Sequence, residues 1–418
     1  MPSDPVATVQ GIDQTRLDLD QPLALHPLVY LVDGDEVTVG RRDIDSYGIF
    51  PPEGAEIVRK LAAGATPRQV ADWFSEDYGE MIEIEEVIAG LAELEFLVQQ
   101  GDQATTSAPV PFARLGAAMF SPAAWMVYVT IIVGALVAMA KQPDLIPNYH
   151  RVFFTDYYTV IQVALFISAI PMLLLHESFH ALAGRRLGLR SRLRIDRRMY
   201  FIILETSLDG LVTVARRKRY LPILAGLLAD AVGVSVCVLL AAASRSPDGS
   251  LPLIGRFLLA VAFGAVLRMV WQFFFYLRTD IYVLVSTVLG CVDLHSAAKQ
   301  VMANRFNRVL GRTDRIVDES RFHPVDRRAA RWYCWLIMLG YPVSIITLLT
   351  AGLPVLWKMT TDVLGRFTAD DVSNAQLWDS ILFSAGFVAQ LLILAILIVR
   401  DRRRRKASAP LQSVISYS

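Results

Sequence analysis

The stretch Leu174-Leu175-His176-Glu177-Ser178-Phe179-His180-Ala181-Leu182-Ala183-Gly184 sets two histidines and a glutamate in the second half of an apolar run covering residues 158–183. A run of that length is enough to cross a bilayer, which takes about 20 residues of α-helix. On such a helix His176 and His180 are one turn apart and share a face. Two imidazoles so spaced can bind one metal ion. Glu177, beside the first, can take a proton from a water on that ion. In a soluble helix the same spacing is most simply a solvated face. Inside an apolar span these groups are costly to keep, and ionisable residues at that depth are functional by default. The bland alternative is a polar cluster hydrogen-bonded between helices.

Working outward, six runs are long enough to span: residues 120–140, 158–183, 221–243, 253–277, 332–356 and 377–399. With 54% hydrophobic residues and a mean hydropathy of +0.41, a chain of 418 residues is too apolar to be soluble throughout. Loops 184–220 and 278–331 are crowded with Lys and Arg, and so is 400–406. Loops 141–157, 244–252 and 357–376 are short and carry few basic residues. The positive-inside rule then places both long loops and both termini in the cytoplasm. The net charge of +1 averages an acidic front and basic loops, so it says nothing of partners. Cys237, Cys291 and Cys334 are far apart and odd in number, which argues against both a disulfide framework and a Cys-type zinc site. Residues 1–20 lack the apolar core of a signal peptide. The expectation is a mainly α protein of the cell membrane, a polytopic helical bundle of about six spans over residues 112–400. A basic cytoplasmic tail, 401–418, has affinity for anionic lipid.

In front of the bundle, residues 1–25 read as a disordered segment and 26–100 as a small α+β domain. Leu28–Val32 and Val37–Val39 form a hairpin around Asp33-Gly34-Asp35. A helix covers 52–62, a second starts at the N-cap pair Thr66-Pro67 and runs to Tyr78, and a third covers 83–93. Phe96-Leu97-Val98 closes with a strand, and the whole is a winged-helix arrangement. Residues 101–111, rich in Gly, Ser, Thr, Ala and Pro, read as a linker.

A catalytic zinc keeps three protein ligands and one open position. Asp280, after the fourth span, and Asp230, inside the third, are both candidates for the third ligand. At about 1.5 Å per residue, His176 lies roughly 13 Å inside the boundary near Arg185 and Asp230 at a similar depth. Asp280 sits near the boundary unless the fourth span breaks or re-enters, and the apolar run 281–292 permits that. Arg268 matches Asp230 in depth, and an intramembrane Arg wants a carboxylate partner, so Asp230–Arg268 is a candidate structural pair. Residues 199–214 alternate enough for a hairpin at the membrane surface, with arms at Tyr200–Leu204 and Leu211–Val214.

The run His176-Glu177-Ser178-Phe179-His180-Ala181 in a membrane helix resembles the site-2 protease family of intramembrane zinc metalloproteases. In that family an aspartate some spans later, in a Leu-Asp-Gly context, completes the site. Leu277-Arg278-Thr279-Asp280-Ile281-Tyr282 is similar to a degraded form of that motif. The resemblance therefore implies Zn2+ held by His176, His180 and Asp280, with Glu177 as the catalytic base. Ile281 stands where Gly is usual. A literal Leu208-Asp209-Gly210 lies in a loop, which leaves Asp209 an outside candidate. The resemblance would also let the hairpin present a substrate strand to the zinc.

The front domain, over residues 50–98, resembles the peptide-chaperone domain of pyrroloquinoline-quinone biosynthesis, also called the RiPP recognition element. That family binds a leader peptide by adding it to a sheet edge and laying it against the third helix. By implication Val29, Leu31, Val37 and Val39 of the hairpin, with Val87 and Leu91 of the helix, hold the peptide. Nucleic acid is the weaker partner, because Glu83, Glu85, Glu86 and Glu93 oppose phosphate. Together the resemblances imply cleavage of a precursor or leader peptide in ribosomal peptide natural-product maturation, beside peptide-modifying enzymes or an exporter. Regulated intramembrane proteolysis of a signalling protein is one alternative. A non-catalytic membrane carrier or immunity protein for a modified peptide is the other.

Overall fold

A computed structural model describes residues 18–34, 36–41, 43–44, 46–98, 110–198, 201–369 and 371–407. The segment before residue 18, the linker over 99–109 and the tail from 408 lie outside the described residues, so the expected disorder there has no structural account. The chain forms two compact units. One is drawn from residues before 110 together with 209–217, the other from 110–208 and 218 onward.

The first unit is a three-stranded antiparallel sheet followed by three helices. Strands β1 (Val29–Asp33), β2 (Glu36–Arg41) and β3 (Ser46–Phe50) lie in sequence order, with Val32 opposite Val37 and Val39 opposite Gly48. Gly34 takes φ +69° in the first turn, a conformation that favours glycine. Helices α1 (Pro52–Ala62), α2 (Pro67–Tyr78) and α3 (Ile84–Glu93) pack on the sheet through Val39, Val58, Leu61, Leu91 and Phe96. Thr66 caps α2 reciprocally: its hydroxyl accepts the Gln69 N–H at 3.3 Å, and Gln69 Oε1 accepts the Thr66 N–H at 3.0 Å. The sequence reading missed β3. It also expected a strand at Phe96–Val98, where only Leu97 makes an isolated bridge, to Leu25.

The second unit is mainly helical. Its elements are α4 (Ala113–Met119), α5 (Pro122–Lys141), α6 (Tyr158–Arg186), β4 (Arg190–Arg198), β5 (Phe201–Asp209), α7 (Arg216–Ala243), α8 (Leu253–Trp271), α9 (Asp280–Leu289), α10 (Leu294–Val309), α11 (Pro324–Thr347), α12 (Leu353–Arg366) and α13 (Asn374–Ala407). Among the described residues six helices are long and apolar enough to cross a membrane, those of α5, α6, α7, α8, α11–α12 and α13. α7 is the most enclosed of them, and it buries the small residues Ala225, Gly226, Ala229 and Gly233.

Three boundaries differ from the sequence reading. The fourth span stops at Trp271 instead of Leu277, because the chain turns out of the helix after Gln272 and restarts at Asp280. The aromatic run Trp271–Tyr276 keeps hydropathy high across that break. The fifth helix is longer than residues 332–356. It runs 43 residues from Pro324 to Arg366 through a π-helical turn at Leu348–Gly352, so the first half of the expected loop 357–376 is helical. The hairpin is present but displaced: β4 uses the basic stretch read as loop, β5 pairs with it, and Leu211–Thr213 is a 3-10 turn. The hairpin tip, residues 199–200, lies outside the described residues. α9 and α10, inside the loop expected over 278–331, form a pair bent by 91°.

Candidate metal centre

His176 and His180 sit on the inward face of α6, both buried. Met172 meets Gly233, His176 meets Asp230 and His180 meets Pro222, so α6 and α7 run in opposite senses. Pro222, Gly226 and Asp230 recur every four residues and therefore line one face of α7. Gly226 permits the close approach. A Cβ there would lie 2.3 Å from His180 Nε2 and 2.4 Å from His176 Nε2, so bare backbone is required at this position.

The outer hydrogen bonds of the two rings fix their tautomers. His176 Nδ1 donates to Asp230 Oδ2 at 2.9 Å, and His180 Nδ1 donates to the Pro222 carbonyl at 2.7 Å. A carboxylate and a carbonyl supply no hydrogen, so in neutral rings both Nε2 atoms present lone pairs. Those atoms are 3.1 Å apart, and Asp280 Oδ2 lies 3.3 Å from one and 3.4 Å from the other. In that neutral form three acceptors face one point. Zinc bonds of about 2.0–2.1 Å at tetrahedral angles separate ligand atoms by about 3.3 Å, so the donor set fits one such ion. Among the described residues, His176, His180 and Asp280 form the group that could hold a metal.

Asp230 faces the opposite side of His176 from this point. Arg268 Nε approaches both Asp230 oxygens at 3.1 Å and its Nη2 donates to Oδ1, so the carboxylate is bound in a fork. The pairing expected from depth is present, and Asp280 is the carboxylate that joins the two Nε2 atoms. The Asp209 side chain lies outside the described residues.

Asp280 reaches the site because α8 breaks. Gln272 closes α8, and its side chain spans the gap: Nε2 donates to Asp280 Oδ2 at 3.0 Å and Oε1 accepts the Asp280 N–H at 2.9 Å. Thr279 Oγ1 donates to the Gln272 carbonyl at 2.7 Å. These bonds satisfy backbone groups that would each cost several kcal/mol if left bare in a bilayer. Glu177 is likewise held by the hairpin, for its Oε2 accepts the Thr206 N–H at 2.8 Å and its carbonyl accepts the Thr206 hydroxyl at 3.1 Å.

Sequence reasoning missed Pro222, Gln272, Thr279 and Thr206. One of them had a readable signal: Gln272 follows Arg268 by four residues at the end of an apolar helix, a polar stripe like that of His176 and His180. The six residues read as peptide-binding divide differently from expectation. Val29 and Leu31 are half-buried on the edge strand β1, and Val87 is half-buried on α3. Val37 and Val39 belong to the central strand and Leu91 to α3, and all three point into the core, 4%, 0% and 1% exposed, so no peptide reaches them. The edge beside the end of α3 is β3, where Ser46 Oγ donates to the Leu94 carbonyl at 2.8 Å. No protein-family model, curated protein or solved structure matches this chain.

Proposed function

We propose that this chain is a zinc metalloprotease of the cell membrane that hydrolyses a peptide bond in a precursor peptide recruited by its N-terminal unit. The observation that carries the reading is the meeting of three lone-pair atoms, from His176, His180 and Asp280, with Glu177 the residue next to His176 on the same helix. A zinc ion held there supplies a polarised water and a Lewis acid for the scissile carbonyl. Glu177 takes the water's proton and delivers it to the leaving amine. Being only 7% exposed, it works where electrostatic interactions are strong. Thr206 lays β5 against Glu177, which supports a substrate backbone running alongside that strand to the base.

The first unit supports a recruiting role of winged-helix type, in which an extended leader peptide augments an open sheet edge, β1 or β3, next to α3. The acidic residues Glu85, Glu86 and Glu93 of α3 favour a peptide over nucleic acid. Six apolar helices and the distribution of Lys and Arg support a multi-pass chain with both termini in the cytoplasm. The context that joins these parts is leader removal during ribosomal peptide maturation, with modifying enzymes or an exporter as neighbours.

The test is zinc content and precursor cleavage for the full chain in vesicles, against Glu177→Ala. One zinc per chain in both proteins, with cleavage only in the unsubstituted one, supports the protease. Export that survives Glu177→Ala overturns it in favour of the carrier reading, and cleavage that survives overturns the role of Glu177 as base. Cleavage of a membrane-bound signalling protein instead of a leader would keep the chemistry and replace the substrate.

A further inference from the structure

We infer that the last turn of α8 is the positioning element of the metal centre, setting two of its three ligands at once. Arg268 acts on His176 through Asp230, and Gln272 acts on Asp280 directly. The inference rests on the metalloprotease reading and adds to it the residues that determine how tightly the ion is held.

Arg268 and Gln272 are four residues apart and share a face of α8. From that face two chains of hydrogen bonds run to the same point. In the first, the Arg268 fork closes on Asp230, and Asp230 Oδ2 accepts the His176 Nδ1 hydrogen at 2.9 Å. Asp230 is 1% exposed and so has one orientation. With both oxygens engaged by Arg268, it faces His176 only as an acceptor, which turns the Nε2 lone pair toward Asp280. In the second chain, Gln272 grips Asp280 twice, at the side chain and at the backbone N–H. Gln272 is itself fixed by Thr279, which donates to its carbonyl. His180 is the exception. Its partner is the Pro222 carbonyl of α7, so it takes its orientation from backbone alone.

A merely structural role for Asp230–Arg268 would tie α7 to α8 and leave metal binding alone. A positioning role makes affinity and ligand geometry depend on side chains that never touch the ion. Partners of this kind typically change metal affinity about 10- to 100-fold when removed.

The experiment uses the full chain in detergent micelles, with Zn2+ affinity measured by competition against a chromophoric chelator. The visible spectrum of the Co2+-loaded protein reports ligand geometry. Asp230→Asn preserves shape and still accepts from His176 but breaks the Arg268 fork. Gln272→Ala removes the grip on Asp280. Each is expected to weaken Zn2+ binding about 10- to 100-fold and to alter the Co2+ spectrum. Arg268→Lys, which keeps the charge without the fork, is expected to fall between Asp230→Asn and the unsubstituted chain. Folding is checked by elution profile and thermal unfolding. Should Asp230→Asn misfold, Gln272→Ala and Arg268→Lys decide. Folded variants that bind Zn2+ as tightly as the unsubstituted chain, with an unchanged Co2+ spectrum, overturn the inference and leave the metalloprotease reading intact. If the unsubstituted chain takes up neither ion, the metalloprotease reading itself fails and the inference with it.

Discussion

At the first turn of α6, Asp379 accepts the N–H groups of Tyr158 and Thr159 at 2.7 and 2.9 Å, Arg366 donates to Asp379 at 3.1 Å, and Lys358 donates to Asp362 at 2.7 Å. Toward the other end of the same helix, His176 and His180 turn lone pairs toward Asp280. Both clusters place charged side chains from distant parts of the sequence against an apolar helix. They differ in how donors and acceptors are arranged. At the Tyr158 end they alternate, every acceptor named meets a donor, and the cluster is complete without a ligand. At the His176 end, with neutral rings, three acceptors converge on one point, an arrangement that a cation placed among them would stabilise. The first pattern holds helices together, and the second is the one proposed to take an ion. Composition alone does not separate them; the direction of the protons does.

The largest effect that would break the contrast comes from the convergent end. His180→Ala is expected to abolish stoichiometric zinc and cleavage together, whereas Glu177→Ala keeps the zinc and lowers cleavage by about 10²–10⁴-fold; metal analysis beside a cleavage assay reads both. Next in size is Gly226→Ala. Its methyl would lie within 2.4 Å of both Nε2 atoms, and the expected outcome is zinc affinity reduced at least tenfold with every ligand still present. A Gly226→Ala chain that binds zinc normally would show that α7 can back away from α6. At the alternating end, Asp379→Ala removes the carboxylate that accepts from Arg366 and from the N–H groups of the first turn of α6. A loss of about 3–5 kcal/mol of stability is expected in denaturant titration, with zinc content unchanged. Zinc lost with Asp379 would mean that the two ends are not separate.

The smallest expected effect concerns an alternating pair in the other unit. Arg41 donates to Asp43 and holds its carboxyl below the usual carboxylate range. That contribution to stability is complete above the ordinary Asp pKa of about 3.9 and fades as pH falls through the lowered value. Acid unfolding of the first unit should therefore move to slightly higher pH in Asp43→Asn, and an unmoved midpoint would mean the pair contributes nothing.

What was legible in the sequence followed from local chemistry. Pro52–Ala62 and Pro67–Tyr78 were read to the residue because a Pro at the first turn and a capping box write their own boundaries. His176 and His180 need only one helix to be neighbours. Asp230 and Arg268 were matched by depth, since two spans in one membrane share a ruler. Features that depend on a change of direction were harder. β3 contains Gly48, packed against Phe50 and Leu94, and lacks the alternation that marks a strand. β4 is assembled from arginines, which read as loop until β5 is seen to pair with it. Gln272 gave no sign that α8 ends there, because the residues that follow are as apolar as the helix.

The helix from Pro324 to Arg366 has a mechanical consequence. At about 1.5 Å per residue its 43 residues measure about 65 Å, roughly twice the hydrocarbon thickness of a bilayer. Near one end, Tyr333 and Cys334 pack with Phe275, Ile281 and Tyr282, the stretch that brackets Asp280. Near the other, Val363 packs with Tyr158, whose hydroxyl donates to Asp362 and whose ring lies under the Arg366 guanidinium, in the first turn of the helix that bears His176. The rod thus works like the beam of a caliper, whose jaws close on the two segments that carry the converging atoms. Its π-turn at Leu348–Gly352 is an irregular joint along that beam, so a change in length or bend there would be felt at both jaws.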